Sequence, residues 1–124
     1  MDVLFNKKLN NILTAVCIIE EVRPSDLQGR SRTRALVDVR KLFVYFARAI
    51  HPGISYEQIG LFLNRDHSTM IHYINYMNDT MDCYPNEEAI IMEKFERVRL
   101  LSGNVLKFEI GVNKKKENET NKAA

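Results

Sequence analysis

Apolar residues recur at intervals of three and four along most of the chain, which is the spacing of one face of an α-helix. The pattern predicts a first helix over residues 2–21, a short helical turn over 24–27, a long core helix over 35–50 and a last helix over 86–101. The expected buried face of the core helix comprises Leu36, Val39, Phe43, Phe46, Ala47 and Ile50. The hydrophobic pattern therefore predicts an all-α fold.

The middle of the chain carries the clearest local signals for where a helix begins and ends. Ser55 and Gln58 have the spacing of a capping box, in which each side chain bonds the backbone amide of the other residue. Ile54 and Ile59 stand at the two positions of a hydrophobic staple. A short helix is therefore expected over residues 56–63.

A second helix is predicted to follow after a tight turn, over residues 66–81. Asn64 tolerates a left-handed backbone and is expected to stop the first helix, and Asp66 is a good N-cap for the second. The apolar stripe of the second helix consists of Met70, Ile74, Met77 and Met81. Its polar face consists of Ser68, His72, Asn75 and Asp79. Such a helix fits a recognition helix in the major groove, with His72 reaching the groove or a phosphate, although an ordinary surface helix has the same pattern.

A short string at the start of the second helix adds a family resemblance. It reads Arg65-Asp66-His67-Ser68-Thr69, and His72 follows one turn after Ser68. It resembles the C-terminal DNA-binding domain of the bacterial replication initiator DnaA, and the resemblance covers residues 9–81. The elements that fall in the same order as in that family are Ser55, Ile59, Gly60 and the basic segment 30–41. The resemblance implies a small all-α bundle of about five to six helices with a helix-turn-helix like that of the Trp repressor.

Charge is distributed unevenly along a chain whose length suits one domain with a modest core. The chain has 124 residues, is 45% hydrophobic and 27% charged, and has a net charge of only +2. Residues 28–48 contain six Lys and Arg against one Asp, a net charge of +5. Residues 78–96 contain six Asp and Glu against one Lys, a net charge of −5. One end of the domain is therefore expected to face phosphate, and the other end to be repelled by it.

The basic loop over residues 28–33 is the first candidate for a DNA contact. Arg30 and Arg32 lie in it and Arg34 stands at the entry to the core helix. Closely spaced arginines on a loop suit groove insertion or phosphate binding, and a solvated basic loop has the same composition. The resemblance implies that one arginine of this loop enters the minor groove. By position this role falls on Arg32, with Arg30 and Arg34 as alternatives.

The resemblance also implies DNA contacts outside the loop and the recognition helix. Arg40, Lys41 and Arg48 match family positions that contact the DNA backbone or the groove edge. Glu57 stands where familiar members often have a proline that touches a base, and Tyr56 precedes it. A carboxylate there disfavours phosphate and suits a cytosine amino group.

The start of the second helix supplies groups that can read bases. Arg65 can hold phosphate together with the amides of the helix N-terminus. Asp66 can cap the helix or accept from cytosine, His67 and Ser68 can bond base edges, and the methyl of Thr69 can pack on thymine. The full predicted DNA-binding set is Arg30, Arg32, Arg34, Arg40, Lys41, Arg48, Tyr56, Glu57, Arg65, Asp66, His67, Ser68, Thr69 and His72.

Other function classes lack their sequence signals. There is no phosphate-cradling glycine-rich loop, so we expect no nucleotide, and we expect no enzyme activity, cofactor or metal. Asp66, His67 and Ser68 are adjacent on one helix start and point in different directions, which does not suit a catalytic triad. Cys17 and Cys83 have no metal spacing and predict reduced, buried or half-buried thiols. With no apolar run long enough for a membrane span, we expect a protein of the bacterial cytoplasm or nucleoid.

The predicted partner is double-stranded DNA, bound in replication control or transcription regulation, and the family implies one monomer per short asymmetric site. The alternative is an adaptor with a degenerate DNA face that binds a protein through its acidic last helix or its tail. Gly103 is expected to stop the last helix, so residues 1–103 are predicted to form the DNA-binding domain and 104–124 an extended tail. Within that tail, 105–112 suits a short strand or an extended arm, and 113–124 has the composition of a disordered segment.

Overall fold

The computed structural model describes residues 3–110, and this part of the chain forms helices and turns without a strand. The helices are α1 (Val3–Glu20), α2 (Pro24–Gln28), α3 (Arg34–Ile50), α4 (Tyr56–Leu63), α5 (His67–Cys83) and α6 (Pro85–Ile110). The predicted all-α fold is confirmed, and α4 and α5 form its helix-turn-helix. Over the described residues, no helix combines the length and apolar character needed to cross a membrane.

Helix α3 is the centre of the bundle and packs against α1, α2, α5 and α6. Val39, Phe43, Phe46 and Ala47 on its predicted inner face are buried. The Phe46 ring lies 5.5 Å from the ring of Phe95 in α6, measured between centroids. Burial of these large side chains makes α3 a rigid base for the helix-turn-helix.

The helix-turn-helix is shaped by the local signals that its sequence contains. The Ser55 hydroxyl accepts from the Gln58 amide at 3.1 Å, and the Gln58 side chain accepts from the Ser55 amide at 3.0 Å, which confirms the capping box. Ile54 and Ile59 are both fully buried. Asn64 ends α4 in the left-handed conformation, with φ 60° and ψ 44°. Helix α4 therefore has the predicted bounds, residue for residue.

Helix α6 departs from the prediction at its C-terminal end. It continues through Gly103 to Ile110, so the expected stop at Gly103 and an extended or strand conformation over 105–110 are wrong. A glycine inside a helix costs only about 1 kcal/mol relative to alanine, which the flanking helical residues offset. Residue 103 therefore lies inside a continuous helix, and the division into a domain of 1–103 and a tail stays a prediction. The tail prediction for 111–124 lies outside the described residues.

Candidate nucleic-acid interface

The first turns of α5 present polar side chains to solvent on a buried apolar base. His67, Ser68 and His72 are exposed, whereas Met70 is fully buried and Tyr73 is nearly so. The predicted apolar stripe and polar face of this helix are both confirmed by burial. An exposed set of hydrogen-bonding groups at a helix start is the arrangement with which helix-turn-helix proteins contact base edges.

Asp66 begins α5 but does not cap it with its side chain. Its backbone has the extended N-cap conformation, with φ −72° and ψ 148°, and its carboxylate accepts no capping hydrogen bond from the amides of α5. The carboxylate instead accepts from the Ser68 hydroxyl at 2.8 Å, and its other oxygen lies 4.0 Å from Nδ1 of His67. Ser68 thus donates to the aspartate rather than to the histidine. The same bond orients the Ser68 hydroxyl at the exposed start of the helix.

A basic cleft opens beside this helix start, between the loop of residues 29–33 and the helix-turn-helix. The cleft has a volume of about 720 Å³ and is lined by Gln28, Gly29, Arg30, Arg32, Asn64 and Arg65. A second cavity of about 370 Å³ shares Arg32 and Arg65 with it and adds Val37, Arg40, Thr69 and Tyr73. No acidic side chain of the described residues lines either cavity. A positive concave surface of this kind suits a phosphate backbone.

Three arginine side chains at or next to the cleft have no polar partner among the described residues. Arg30, Arg32 and Arg34 are exposed, and within residues 3–110 none of their side chains forms a hydrogen bond or an ion pair. Arg34 is the first residue of α3, so it stands at the edge of the loop. All three side chains are free to meet a ligand from solvent.

Arg40 is buried inside the domain, although its family position predicts a contact to the DNA backbone or the groove edge. Its side chain is fully buried, and its guanidinium donates to the carbonyl oxygens of Leu27 at 2.8 Å and Asp26 at 2.9 Å. A weaker bond of 3.4 Å runs to the carbonyl of Gly29. Because this guanidinium is already bonded inside the domain, the predicted contact of Arg40 to the DNA backbone or the groove edge stays a prediction. Burial, and secondarily the nearby charge of Arg65, lower the pKa of Arg40.

Arg65 is half-buried and joins the turn of the helix-turn-helix to the basic loop. Its guanidinium donates to the carbonyl of Leu63 at 2.8 Å and to the carbonyl of Gly29 at 2.7 Å. The side chain also lines the cleft, where a phosphate could meet it. The predicted phosphate contact by Arg65 stays a prediction. Its bonds fix its position there before any ligand arrives.

Lys41 and Arg48 lie away from the cleft. Lys41 is 14% exposed and sits over the Tyr76 ring at 3.5 Å from its centroid, in a groove that includes Glu20, Asp38 and Glu87. Arg48 donates to the carbonyls of Ile54 at 2.6 Å and Pro52 at 3.1 Å. Neither is brought together with the loop arginines.

The first turn of α4 completes the predicted set. Tyr56 is partly buried and packs beneath the Arg48 guanidinium, 4.4 Å from its ring centroid. Glu57 is exposed at the same helix start. Their predicted DNA contacts, like those of Arg48, stay predictions.

Gly60 lets α4 approach the start of α5 closely. The Arg65 amide donates to the Gly60 carbonyl at 2.7 Å. A Cβ on Gly60 would lie only 2.6 Å from the carbonyl oxygen of Arg65, a backbone atom that cannot rotate away. The angle between the two helices, and so the position of the first turn of α5, depends on this missing side chain.

Residues missed by the sequence prediction hold the loop against the helix-turn-helix. The Asn64 side chain donates to the carbonyl of Gln28 at 3.1 Å, and the Gln28 side chain donates to the carbonyl of Phe62 at 2.9 Å. Single polar residues next to a turn give no signal of such long-range bonds. For Arg40 the sequence does contain a signal of burial, because Arg40 stands at helical spacing from Leu36 and Phe43, inside the apolar face of α3.

The part of the chain that contains this cleft is similar to known sequences. The sequence model of the family described as bacterial dnaA protein helix-turn-helix matches residues 9–76, from α1 into α5. Similar proteins include chromosomal replication initiator protein DnaA of Campylobacter fetus subsp. fetus, which is 30% identical over 77 residues, 62% of this chain and 18% of that protein. DnaA of Chlorobaculum tepidum is 30% identical over 95 residues, 76% of this chain and 19% of that protein. DnaA of Campylobacter jejuni subsp. jejuni is 25% identical over 97 residues, 78% of this chain and 22% of that protein. The chain thus spans about a fifth of the length of the relatives it matches.

Proposed function

The chain belongs to the family of bacterial DnaA helix-turn-helix domains, and from that premise we propose that it binds double-stranded DNA in a sequence-specific manner. The first turn of α5 enters the major groove, and the loop of residues 29–33 lies at the adjacent minor groove. The biological setting that we propose is site recognition in replication control, in line with the name of its relatives.

The observation that carries this proposal is the juxtaposition of two chemically different surfaces. The start of α5 exposes His67, Ser68 and His72, which have hydrogen-bonding groups suited to base edges. Beside it lies the basic cleft, in which Arg30 and Arg32 have free guanidinium groups. A duplex presents bases in its grooves and phosphates along its edges, so it matches both surfaces at once.

One surface contributes mainly specificity to DNA binding, and the other contributes mainly affinity. His67 and Ser68 supply sequence choice, because major-groove edges differ among all four base pairs. Arg30 and Arg34 supply affinity by neutralising phosphates, and Arg32 adds minor-groove insertion, which favours narrow A·T-rich segments. The fixed helix-turn-helix sets the spacing between the two grooves.

A selection experiment followed by alanine variants tests this assignment. Duplexes selected from a random pool by the wild-type chain provide the preferred site, and a scrambled version is the reference. His67→Ala and Ser68→Ala should each weaken binding to the preferred duplex by about 1–3 kcal/mol and change binding to the scrambled duplex little.

The matched control is Asn78→Ala, an exposed position late in the same helix, which should leave both affinities unchanged. If the His67 and Ser68 variants lose equal affinity for preferred and scrambled duplexes, α5 is not the reading helix. If no duplex is enriched in the selection, sequence-specific binding itself fails.

The choice between replication control and transcription regulation depends on where the sites lie in a genome. Mapping of the bound sites in cells distinguishes a cluster at one origin from single sites in promoters. We favour a cluster at an origin, because the relatives are named chromosomal replication initiator proteins.

A further inference from the structure

The C-terminal end of α2 is held by side chains from two other parts of the fold. A helix of five residues leaves its last carbonyl groups without partners inside the helix. Here the four consecutive carbonyls of residues 26–29 each accept from a side chain. The donors are Arg40 in α3, and Asn64 and Arg65 in the turn of the helix-turn-helix. We call these three side chains the loop anchor.

Arg40 is the central member of the loop anchor. Its guanidinium bridges Asp26 and Leu27 with bonds of 2.9 Å and 2.8 Å, and it is fully buried. All of its partners among the described residues are neutral carbonyls, and none is a carboxylate. A buried cation without an anionic partner is costly to the stability of a fold, so packing alone does not account for arginine at this position.

The basic loop begins where the loop anchor ends. Gly29 accepts from both Arg40 and Arg65, at 3.4 Å and 2.7 Å. Arg30 and Arg32 follow within three residues. One anchor residue comes from the core helix and the other two from the turn that leads into α5. The position of the loop arginines is therefore fixed relative to the reading helix from two sides.

We propose that Arg40 is a positioning residue for DNA recognition, which holds the loop arginines in register with α5 and does not itself touch DNA. The inference rests on the proposed function and assigns Arg40 a role in binding through Arg32. Without the anchor, the loop would be free in the unbound chain and would have to be ordered on binding, which reduces affinity. A preorganised loop also fixes which base pairs along the duplex Arg32 can reach.

A double-mutant cycle between Arg40 and Arg32 tests the proposal. Arg40→Met keeps the length and apolar stem of the side chain and removes the donors. It should weaken binding to the preferred duplex about tenfold in the wild-type background and less than twofold in an Arg32→Ala background. Arg99→Met, at an exposed position in α6, makes the same change in net charge and should leave both backgrounds unchanged.

Lysine at position 40 separates positioning from a direct phosphate contact. Arg40→Lys keeps the charge but cannot bridge two carbonyls with a planar fork, so it should restore little of the lost affinity. The salt dependence of binding in the Arg32→Ala background should be the same with Arg40 and with Met at that position. Equal losses in both backgrounds, rescue by lysine and a salt slope flatter by about one unit would overturn the proposal and make Arg40 a phosphate contact.

A second variant covers the case in which Arg40→Met does not fold, as judged by a thermal melt. Asn64→Gly removes the donor to the Gln28 carbonyl and keeps the left-handed turn, so it loosens the anchor from its other side. It should also weaken binding only when Arg32 is present, and an equal loss without Arg32 overturns the proposal. Failure of the proposed function is distinguishable, because the wild-type chain would then show no preferred duplex at all.

Discussion

Asn64 serves two purposes that a pair of variants can separate. Its backbone is left-handed, and its side chain donates to the Gln28 carbonyl. Asn64→Gly and Asn64→Ala both lose the hydrogen bond, but only alanine is strained in the left-handed conformation. We expect Asn64→Ala to be less stable to unfolding than Asn64→Gly by about 1 kcal/mol. Urea denaturation of both variants measures the difference, and equal stability would mean that the turn can relax to a right-handed backbone.

The two cysteines differ in exposure and should differ in reactivity. Cys17 is 5% exposed in α1, and burial, with a smaller contribution from the charge of Asp26, raises its pKa to about 11. Cys83 is exposed at the end of α5, contrary to the expectation that both thiols are at least half-buried. A thiol reagent at pH 8 should label one cysteine in the folded chain and two after denaturation. Cys83→Ser should abolish labelling of the folded chain, and residual labelling would reveal opening of α1.

Residues whose role is set by their sequence neighbours could be predicted, and those whose role is set by a distant partner could not. The conformation of Asn64 and the capping pair Ser55 and Gln58 follow from local chemistry, and the structure has all three as predicted. Arg40 was assigned to DNA from family position and charge. Its helical spacing from Leu36 and Phe43 indicates burial, but its carbonyl partners lie 11 to 14 residues away along the chain, and no local pattern identifies them.

At the scale of helices, the contact between α4 and α5 depends on the absence of a side chain at Gly60. Gly60→Ala would place a Cβ 2.6 Å from the Arg65 carbonyl oxygen, and the start of α5 would have to move. We expect a loss of about 1–3 kcal/mol in the free energy of unfolding, as for overpacking in a core, and weaker binding to the preferred duplex. Thermal melts and binding isotherms of the variant measure the two effects.

Gly53 provides the matched control, because a Cβ there would meet no atom within 4 Å. Gly53→Ala should therefore leave both stability and DNA binding close to those of the wild-type chain. An unchanged Gly60→Ala variant would show that α4 and α5 can separate without cost, and that the close approach is not required.

The bounds of the helices were predictable where a capping or turn residue marks them. Helix α4 lies between Ser55 and Asn64 and was predicted without error, whereas α6 passes the glycine that was expected to end it. Gly103 is followed by residues that continue the helix. A glycine ends a helix when its backbone turns left-handed after the last helical residue, and Gly103 is helical instead. Met92 and Leu100 in α6 are apolar but are 43% and 55% exposed. The inner face of α6 is formed by Ile91 and Val98 instead, one or two positions away on the helix.

At the scale of the whole molecule, α5 connects two regions of opposite charge. Its first turn lies beside the basic cleft, and Asp79 and Asp82 are exposed near its other end. At a rise of about 1.5 Å per residue, these carboxylates are roughly 18 to 22 Å along the axis from His67. The screening length is about 8 Å at 0.15 M salt and about 30 Å at 0.01 M, so the acidic end acts on bound DNA only when salt is low.

Neutralising the acidic end of α5 should therefore change DNA binding in a salt-dependent way. The double variant Asp79→Asn/Asp82→Asn should bind duplex DNA several-fold more tightly than the wild-type chain at 0.01 M salt and within twofold of it at 0.15 M. Arg30→Gln, in the cleft, is the matched comparison and should bind more weakly at both salt concentrations, because a phosphate contact is lost at short range. Binding isotherms on one scrambled duplex across a salt series measure both effects. If the acidic variant is tightened equally at 0.01 M and 0.15 M, Asp79 and Asp82 lie close to phosphate. Helix α5 would then lie along the duplex over its whole length rather than meeting it with its first turn.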